Sequence, residues 1–147
     1  MEMDKKNILS IIRDKSKSTL ATSLGIEICD LGKNYVLGKM PVNHKTKQPF
    51  GLLHGGASVA FAETLGSIGA GMQVDLDDHS VVGIEINASH VRPVKDGWVN
   101  GKAQPLRIGR SIQVWDIKIT NEKGDLVCSS RLTLSVIAKN KKKSNDK

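Results

Sequence analysis

The fold of this chain is decided by residues 48–67, which read Gln48-Pro49-Phe50-Gly51-Leu52-Leu53-His54-Gly55-Gly56-Ala57-Ser58-Val59-Ala60-Phe61-Ala62-Glu63-Thr64-Leu65-Gly66-Ser67. The first nine residues predict a polar, glycine-rich turn, and the rest predict a helix with a single carboxylate. At about 100° per residue, one helix face holds Phe61, Leu65, Ile68 and Met72. The opposite face holds Gly56, Val59, Ala60, Glu63, Ser67 and Ala70. Because a solvated face carries Lys, Glu and Gln, and this second face is small and nearly uncharged, we expect both faces to be covered.

Strand-like stretches lie on both sides of this helix. A hairpin around residues 32–34 is predicted before it, and the β-rich stretches after it are 80–94, 98–105, 110–120 and 125–137. Turns at residues 95–97 and 121–124 predict that neighbouring strands pair as hairpins. Residues 5–24 predict one or two short amphipathic helices lying across the body. Because a single long helix must cover all these strands, we expect an α+β fold with one antiparallel sheet wrapped around a long central helix.

Length and charge predict one domain with a basic tail. The 147 residues suit a single domain over residues 1–138, including its N-terminal helical segment, and a disordered lysine-rich tail over 139–147. Much of the formal net charge of +7 lies in that tail, which fits either a solvated segment or a weak contact with a polyanion. No aromatic residues interleave with its lysines, so no nucleic-acid partner is expected.

The sequence also predicts where the protein is located and whether it binds a metal. No apolar run approaches the roughly 20 residues of a membrane span, and the first residues lack a secretory pattern, so we expect a cytoplasmic protein without a membrane partner. Cys29 and Cys128 stand alone and are predicted to be buried, reduced thiols. The four histidines form no close-spaced pair on a helix, so no metal site is expected.

The start of the central helix and Glu63 suggest catalytic chemistry. Backbone N–H groups at Gly55 and Gly56 lie at the positive end of the helix dipole, where they suit a developing oxyanion, although a plain helix cap fits equally well. A carboxylate among small residues can act as a nucleophile or as a general base on water. The alternative for Glu63 is a core carboxylate that is hydrogen-bonded by Ser67 or Thr64.

The spacing of these groups has a consequence for assembly. Gly55 and Glu63 are separated by about 12 Å along one helix, whereas an oxyanion donor and a base must both lie about 3 Å from one reacting group. A second copy with its helix antiparallel to the first would bring Gly55 of one chain to Glu63 of the other. We therefore predict an obligate dimer with two composite sites.

The chain resembles the hotdog-fold acyl-CoA thioesterases, in particular the PaaI-like branch with the 4-hydroxybenzoyl-CoA and 1,4-dihydroxy-2-naphthoyl-CoA thioesterases. The resemblance covers roughly residues 20–137 and is strongest in 48–56 and 62–67, with weaker support from 81–93 and 109–110. It implies that the protein hydrolyses an acyl-CoA with an aromatic or otherwise bulky acyl group. It also implies a homodimer, arranged as a dimer of dimers, that needs no cofactor because coenzyme A is part of the substrate.

The resemblance assigns roles to particular residues. Glu63 would attack the thioester or activate water, the Gly55 N–H would polarise the carbonyl, Gln48 and His54 would assist, and Ser67 would help to orient the water. The residues expected to bind substrate and coenzyme A are Gly83, His90, Arg92, Arg107, Arg110 and Ser111. Guanidinium groups suit phosphate oxygens, although Arg107 is chosen by position alone.

Alternatives remain at this point. On the residues alone, His54 and Gln48 fit equally well as groups that hold the turn through hydrogen bonds, and each arginine fits a solvated surface charge. At the level of function, the alternatives are a dehydratase on the same fold and a non-catalytic acyl-CoA sensor. The dehydratase is disfavoured by the context of His54, and the sensor by the short N-terminal segment, which leaves little room for a DNA-binding motif.

Overall fold

The computed structural model describes residues 4–140, which form three helices and six strands. The helices are α1 (Lys5–Ser16), α2 (Leu20–Leu24) and α3 (Gly55–Gly71). The strands are β1 (Glu27–Gly32), β2 (Tyr35–Pro41), β3 (His79–His90), β4 (Trp98–Ile108), β5 (Ile112–Thr120) and β6 (Leu126–Ala138).

The six strands form one sheet in the order β1-β2-β4-β5-β6-β3, and every neighbouring pair is antiparallel. The long helix α3 packs against β2, β3, β4, β5 and β6. The predicted α+β architecture, a sheet wrapped around a central helix, is therefore confirmed. It is the fold that the hotdog resemblance implies.

Glycines on the sheet let α3 lie close to the strands. A Cβ at Gly38 of β2 or Gly101 of β4 would lie 2.8 Å or 2.5 Å from the Leu65 side chain, which is fully buried with Phe61. Near the other end of the helix, Gly69 packs against Trp115, whose indole N–H donates to Gln113 Oε1 at 2.9 Å. These close contacts set the distance between α3 and the sheet.

The predicted division of the helix faces is partly wrong. Ala70 is fully buried in the core, contrary to the prediction, whereas Ile68 packs against the core as predicted but is only partly buried and also lines a groove beside α3. The buried stripe is wider than predicted, because it also includes small residues that lie close to the sheet, among them Ala57, Ala62, Gly66 and Gly69. The second face is only partly covered by described residues.

Two predicted hairpins are confirmed and one is wrong. The turn around residues 32–34 joins β1 to β2, which pair directly. Residues 121–124 join β5 to β6, which pair directly. Residues 95–97 follow β3 and lead into β4, but β3 pairs with β6 and β4 lies between β2 and β5. The chain crosses the sheet here because the Gly97 carbonyl accepts a hydrogen bond from Val42 N at 2.8 Å, which anchors the start of β4 beside β2.

The N-terminal helices are fastened to this body by polar contacts. Lys5 Nζ donates to Tyr35 Oη at 2.9 Å and to Asp30 Oδ1 at 3.3 Å, and Tyr35 Oη donates to Asp30 Oδ2 at 2.9 Å.

At the other end of the described residues, Lys139 N donates to Asp78 O at 2.8 Å. The remainder of the predicted tail, residues 141–147, lies outside the described residues. No helix within residues 4–140 is long and apolar enough to cross a membrane.

The two cysteines differ in their surroundings. Cys128 is buried as predicted, and burial raises the pKa of its thiol. Cys29 is exposed, so that part of the prediction is wrong. Cys29 lies at an irregularity between Ile28 and Asp30 in the edge strand β1, where it has no partner in the register with β2.

Candidate active site

The loop before α3 is organised by a buried threonine. Thr46 is only 1% exposed, its hydroxyl donates to Pro41 O at 2.7 Å, and it accepts from Asn43 N at 3.0 Å. The Thr46 carbonyl in turn accepts from His54 N at 2.8 Å. Thr46 thereby sets the position of the residue that begins the helix, and neither a motif nor a periodic pattern in the sequence marked it.

Gln48 forms a tight turn with the four residues that follow. Its backbone N–H donates to Leu52 O at 2.8 Å, and its side-chain Oε1 accepts from Phe50 N. The turn leaves Phe50 90% exposed at its tip. The turn-holding alternative is therefore correct for the Gln48 amide oxygen, and only the amide nitrogen, which donates to no described residue, is left for a substrate.

His54 is the N-cap of α3. Its Nδ1 accepts from Gly56 N at 2.8 Å, so Nδ1 is unprotonated and the ring proton is assigned to Nε2. The Gly56 N–H is therefore engaged by the cap. The Gly55 N–H is not, and it has no acceptor within residues 4–140. Of the two glycine N–H groups considered from sequence, Gly55 is the one available to an oxyanion.

His90 lies directly against Gly55. A Cβ placed on Gly55 would be 2.9 Å from His90 Nε2, so only glycine leaves room for the imidazole at this point. The segment that follows β3 is also joined to the loop before α3, because Leu53 N donates to Val94 O at 2.8 Å. We call Gln48, His54, Gly55 and His90, with Arg92 at the end of β3, the donor half-site.

Glu63 lies on the opposite part of the helix from this donor half-site. Its carboxylate is pressed against β3, because a Cβ on Gly83 would lie 2.7 Å from Glu63 Oε1. Among residues 4–140, no group donates a hydrogen bond to this carboxylate, and the Thr64 hydroxyl donates to Ala60 O instead. The alternative of a core carboxylate satisfied by its helical neighbours is therefore not what the structure shows. We call Glu63, Ser67 and Gly83 the acid half-site.

A groove of about 560 Å³ opens beside the acid half-site, between α3 and the corner joining α1 to α2. Its apolar walls include Ile12, Leu20, Ala21, Ala60 and Ile68. The polar residues that line it are Lys15, Ser16, Thr19, Glu63, Thr64 and Ser67. A mostly apolar groove of this size with a few polar groups is typical of a small-molecule site.

The residues predicted to bind coenzyme A are split between the two ends of the sheet. Arg107, Arg110 and Ser111 lie at the β4–β5 turn, at the same end as Gly83, because Ser111 O accepts from Val136 N at 2.8 Å and Ser135 pairs with Val82. His90 and Arg92 lie at the far end of β3, about 23 Å away at about 3.3 Å per residue. One chain therefore does not gather all of them around one ligand.

Comparison with known proteins decides the family. Residues 50–128 match the model of the Thioesterase superfamily. The chain belongs to that superfamily. It is 50% identical over 129 residues to the proofreading thioesterase EntH of Cronobacter turicensis, a match that covers 88% of this chain and 93% of the relative. It is 44% identical over 133 residues to the 1,4-dihydroxy-2-naphthoyl-CoA hydrolase of Escherichia coli K12, covering 90% of this chain and 97% of the relative.

A solved structure shows the same relationship in three dimensions. A crystallised thioesterase from Haemophilus influenzae superposes with a TM-score of 0.86 at 43% identity, covering 97% of this chain and 96% of the other. The resemblance to hotdog thioesterases inferred from sequence is therefore confirmed, and so is the expectation of a thioesterase. The roles assigned to individual residues stay predictions.

Two features of this thioesterase site were not found by sequence reasoning. The capping bond from Gly56 to His54 selects Gly55 as the free donor, and a histidine followed by two glycines at a helix start could have signalled it. The contact between Gly83 and Glu63 joins residues 20 positions apart, and no spacing rule reveals it. Within residues 4–140, no cluster of three or more His, Cys, Asp and Glu side chains could hold a metal ion.

Proposed function

We propose that this thioesterase hydrolyses an acyl-CoA thioester to the free acid and coenzyme A, with Glu63 as nucleophile or general base. The observation that carries the proposal is the Glu63 carboxylate, which has no hydrogen-bond donor within the described chain and opens into a mostly apolar groove beside Gly83. Glu63 is only partly buried, so its carboxylate lies within reach of a ligand in the groove, where it can act as a nucleophile or as a general base.

Two routes fit this arrangement. In the first, a Glu63 carboxylate oxygen attacks the thioester carbon, the carbon–sulfur bond breaks, and water then hydrolyses the resulting anhydride. In the second, Glu63 takes a proton from a water whose oxygen attacks the same carbon, and the proton passes to the departing thiolate. In either route, negative charge develops on the carbonyl oxygen, and the Gly55 N–H of a second subunit, free at the start of its α3, would stabilise it.

The two half-sites complete each other across a dimer. Strand β3 is a 12-residue edge strand with exposed Val82 and Ile84, and a long apolar edge of this kind favours pairing with another strand. Antiparallel pairing of two β3 edges centred between Ile86 and Asn87, two residues beyond the middle of the strand, would bring Gly83 of one chain beside His90 of the other. The acid half-site of one subunit would then face the donor half-site of the other.

The same pairing accounts for the predicted coenzyme A ligands. Arg107, Arg110 and Ser111 would come from the subunit that supplies Glu63, while His90 and Arg92 would come from its partner. Gln48 and His54 would assist through the amide nitrogen of the first and the Nε2–H of the second, and Ser67 would orient the water. A dimer of dimers and a cytoplasmic location stay predictions, and no cofactor enters this chemistry.

The acyl group is proposed to be aromatic or otherwise bulky. Support comes from the groove volume of about 560 Å³ and from the 44% identical Escherichia coli relative, which is a 1,4-dihydroxy-2-naphthoyl-CoA hydrolase. Thiol release from a panel of aromatic and aliphatic acyl-CoAs would define the preferred class.

Replacing Glu63 tests the proposal. Glu63→Ala and Glu63→Gln should lower kcat by roughly three orders of magnitude or more, because the group that attacks or deprotonates is lost. Both variants should keep the wild-type thermal transition, since Glu63 makes no internal hydrogen bond with a described residue. The measurement is thiol release followed with a chromogenic thiol reagent.

The matched control is Glu27→Gln, which removes an exposed carboxylate paired with Lys39 at 3.4 Å and should leave turnover unchanged. Near-normal turnover by the Glu63 variants would refute the assignment. Tight binding of acyl-CoA by the wild type without any thiol release would instead support the non-catalytic sensor.

A further inference from the structure

The groove beside Glu63 contains one cation, Lys15, that has no partner in the described chain. Within residues 4–140, its ammonium group forms neither an ion pair nor a hydrogen bond, whereas Lys17, two residues on, pairs with Asp14 at 3.0 Å. Lys5 of the same helix is likewise engaged, by Asp30 and Tyr35. Lys15 thus differs from Lys5 and Lys17 in lining a ligand-sized groove with neither an ion pair nor a hydrogen bond of its own.

The position of Lys15 is fixed by the corner that follows it. The Ser16 carbonyl accepts from Thr19 N at 3.2 Å, from the Thr19 hydroxyl at 2.6 Å and from the Thr22 hydroxyl. Ser18 adopts a positive φ of 59° to make the turn. Since several hydrogen bonds hold the backbone after Lys15, its side chain leaves the helix from a defined place.

Three of the four hydroxyl groups of the groove wall have already used their protons, and the fourth, that of Ser67, lies one turn of α3 from Glu63. The Ser16 hydroxyl donates to Ile12 O at 2.8 Å, the Thr19 hydroxyl to Ser16 O at 2.6 Å and the Thr64 hydroxyl to Ala60 O at 2.7 Å. An acceptor at the far end of an acyl group would therefore find Lys15 as its charged donor. Near Glu63 a second carboxylate would be repelled, so an acidic group is favoured only where this cation offsets that repulsion.

From these contacts we propose that Lys15 selects acyl groups whose far end carries a carboxylate. The proposal rests on the hydrolase function proposed above and adds the class of acyl group that the groove accepts. The apolar walls cover the carbon skeleton, while the ammonium of Lys15 pairs with the terminal anion. Because Lys15 is exposed, its ion pair with the substrate carboxylate should be partly solvated and weak. We expect it to change the affinity for the substrate rather than the rate of the chemical step.

Two pairs of thioesters that differ by one terminal group test this. Adipoyl-CoA is compared with hexanoyl-CoA, and 4-carboxybenzoyl-CoA with 4-methylbenzoyl-CoA, so that a carboxylate replaces a methyl group on the same skeleton. The wild type should favour the carboxylated member in kcat/KM, and Lys15→Met should reduce that preference roughly two- to fivefold. Lys15→Glu should reduce it by roughly tenfold, since repulsion then replaces attraction.

Lys17→Met is the matched control. Lys17 directly follows α1 and does not line the groove, so this variant removes a nearby positive charge and leaves the groove unchanged. Equal losses for both members of a pair in Lys15→Met would show that the cation serves the phosphates of coenzyme A, and would overturn the proposal. So would a wild type that does not distinguish the two members.

Dissociation constants of the same thioesters for Glu63→Gln separate this proposal from the hydrolase itself. If no thioester is cleaved by the wild type but the Lys15-dependent preference appears in binding, the hydrolase fails and the assignment of Lys15 stands. If cleavage occurs and binding shows no preference that depends on Lys15, the assignment of Lys15 fails alone.

Discussion

At the scale of single residues, the missing side chain of Gly83 matters as much as the carboxylate it faces. Gly83 lies at a register shift in β3, and the absence of a Cβ lets Glu63 Oε1 lie directly against the strand. The carboxylate is held by packing rather than by hydrogen bonds from described residues. Its direction is therefore sensitive to any atom added on the strand.

We predict that Gly83→Ala impairs catalysis far more than stability. A Cβ would lie 2.7 Å from Glu63 Oε1, and the end of a flexible side chain can move aside at a cost of about 0.5–1.5 kcal/mol. A displacement of about 1 Å at the reacting group can lower kcat by roughly 100-fold. Kinetics and thermal melting on the same preparation measure the two effects.

Gly71→Ala is the matched control, because a Cβ there meets no atom nearer than 4.0 Å. It should leave both activity and the melting transition close to wild type. If Gly83→Ala retains full activity, the contact with β3 does not set the direction of the carboxylate.

At the scale of elements, helix α1 forms one wall of the groove and is joined to the sheet by the cluster of Lys5, Asp30 and Tyr35. The Tyr35 hydroxyl, followed by the Leu31 N–H, holds the pKa of Asp30 below its ordinary value of 3.8. The same hydroxyl, followed by Asp30, raises the pKa of Lys5 above 10.5. Both residues are solvent-accessible, so the cluster positions α1 more than it stabilises the whole fold.

These shifts predict how the attachment of α1 depends on pH. Since the pKa of Asp30 is lowered on folding, its contribution is present above pH 3.8 and is lost as the pH falls through the lowered value. The contribution of Lys5, whose pKa is raised, is present below pH 10.5 and is lost as the pH rises through the raised value. Between these limits α1 should remain attached.

Tyr35→Phe tests this at the acidic end. The Tyr35 hydroxyl is the largest cause of the lowered pKa of Asp30, so its removal should move the titration of the Asp30 carboxyl to higher pH. The acid-induced change in the α1 amide signals should move to higher pH with it. NMR of the carboxyl and of the α1 amides measures both. Asp14→Asn, which breaks only the exposed pair with Lys17, should not alter either midpoint. Midpoints that coincide in Tyr35→Phe and wild type would contradict the role of the cluster.

At the scale of the whole molecule, one chain holds an acid half-site and a donor half-site that are too far apart to act on one substrate. Gly55 and Glu63 lie about 12 Å apart along α3. The β3 edge, on which Val82 and Ile84 are exposed, is the surface that would bring a second chain to both.

Mixing two inactive variants tests the shared site. Glu63→Gln lacks the acid and Gly55→Val blocks the donor half-site, so each should be inactive alone. In a dimer of one chain of each kind, one of the two sites combines an intact Glu63 with an intact Gly55. After subunit exchange of an equal mixture, about a quarter of the wild-type activity should return, since half the dimers are mixed and each has one working site.

The measurement is thiol release before and after exchange, with each variant incubated alone as the control. A mixture that stays inactive, although sedimentation and native mass spectrometry show mixed dimers, would locate the complete site within one chain.

The sequence by itself determined the class of fold and singled out the pair of groups that we propose carry the chemistry. Glycine at a helix start, a carboxylate among small residues and alternating strands are local signals, because they follow from backbone conformation and side-chain period. The same signals predicted α3 and the β5–β6 hairpin, and they separated Gly55 from Glu63 along the helix.

Only the tertiary structure decided what the strands and loops bring together. It paired β3 with β6 rather than β4, placed Gly83 against Glu63 and His90 against Gly55, and divided the predicted coenzyme A ligands between two ends of the sheet. These contacts join residues far apart in sequence, and they depend on which strands share the sheet and how deeply α3 packs upon it. Neither property is encoded in a local pattern, because each results from the packing of the whole core.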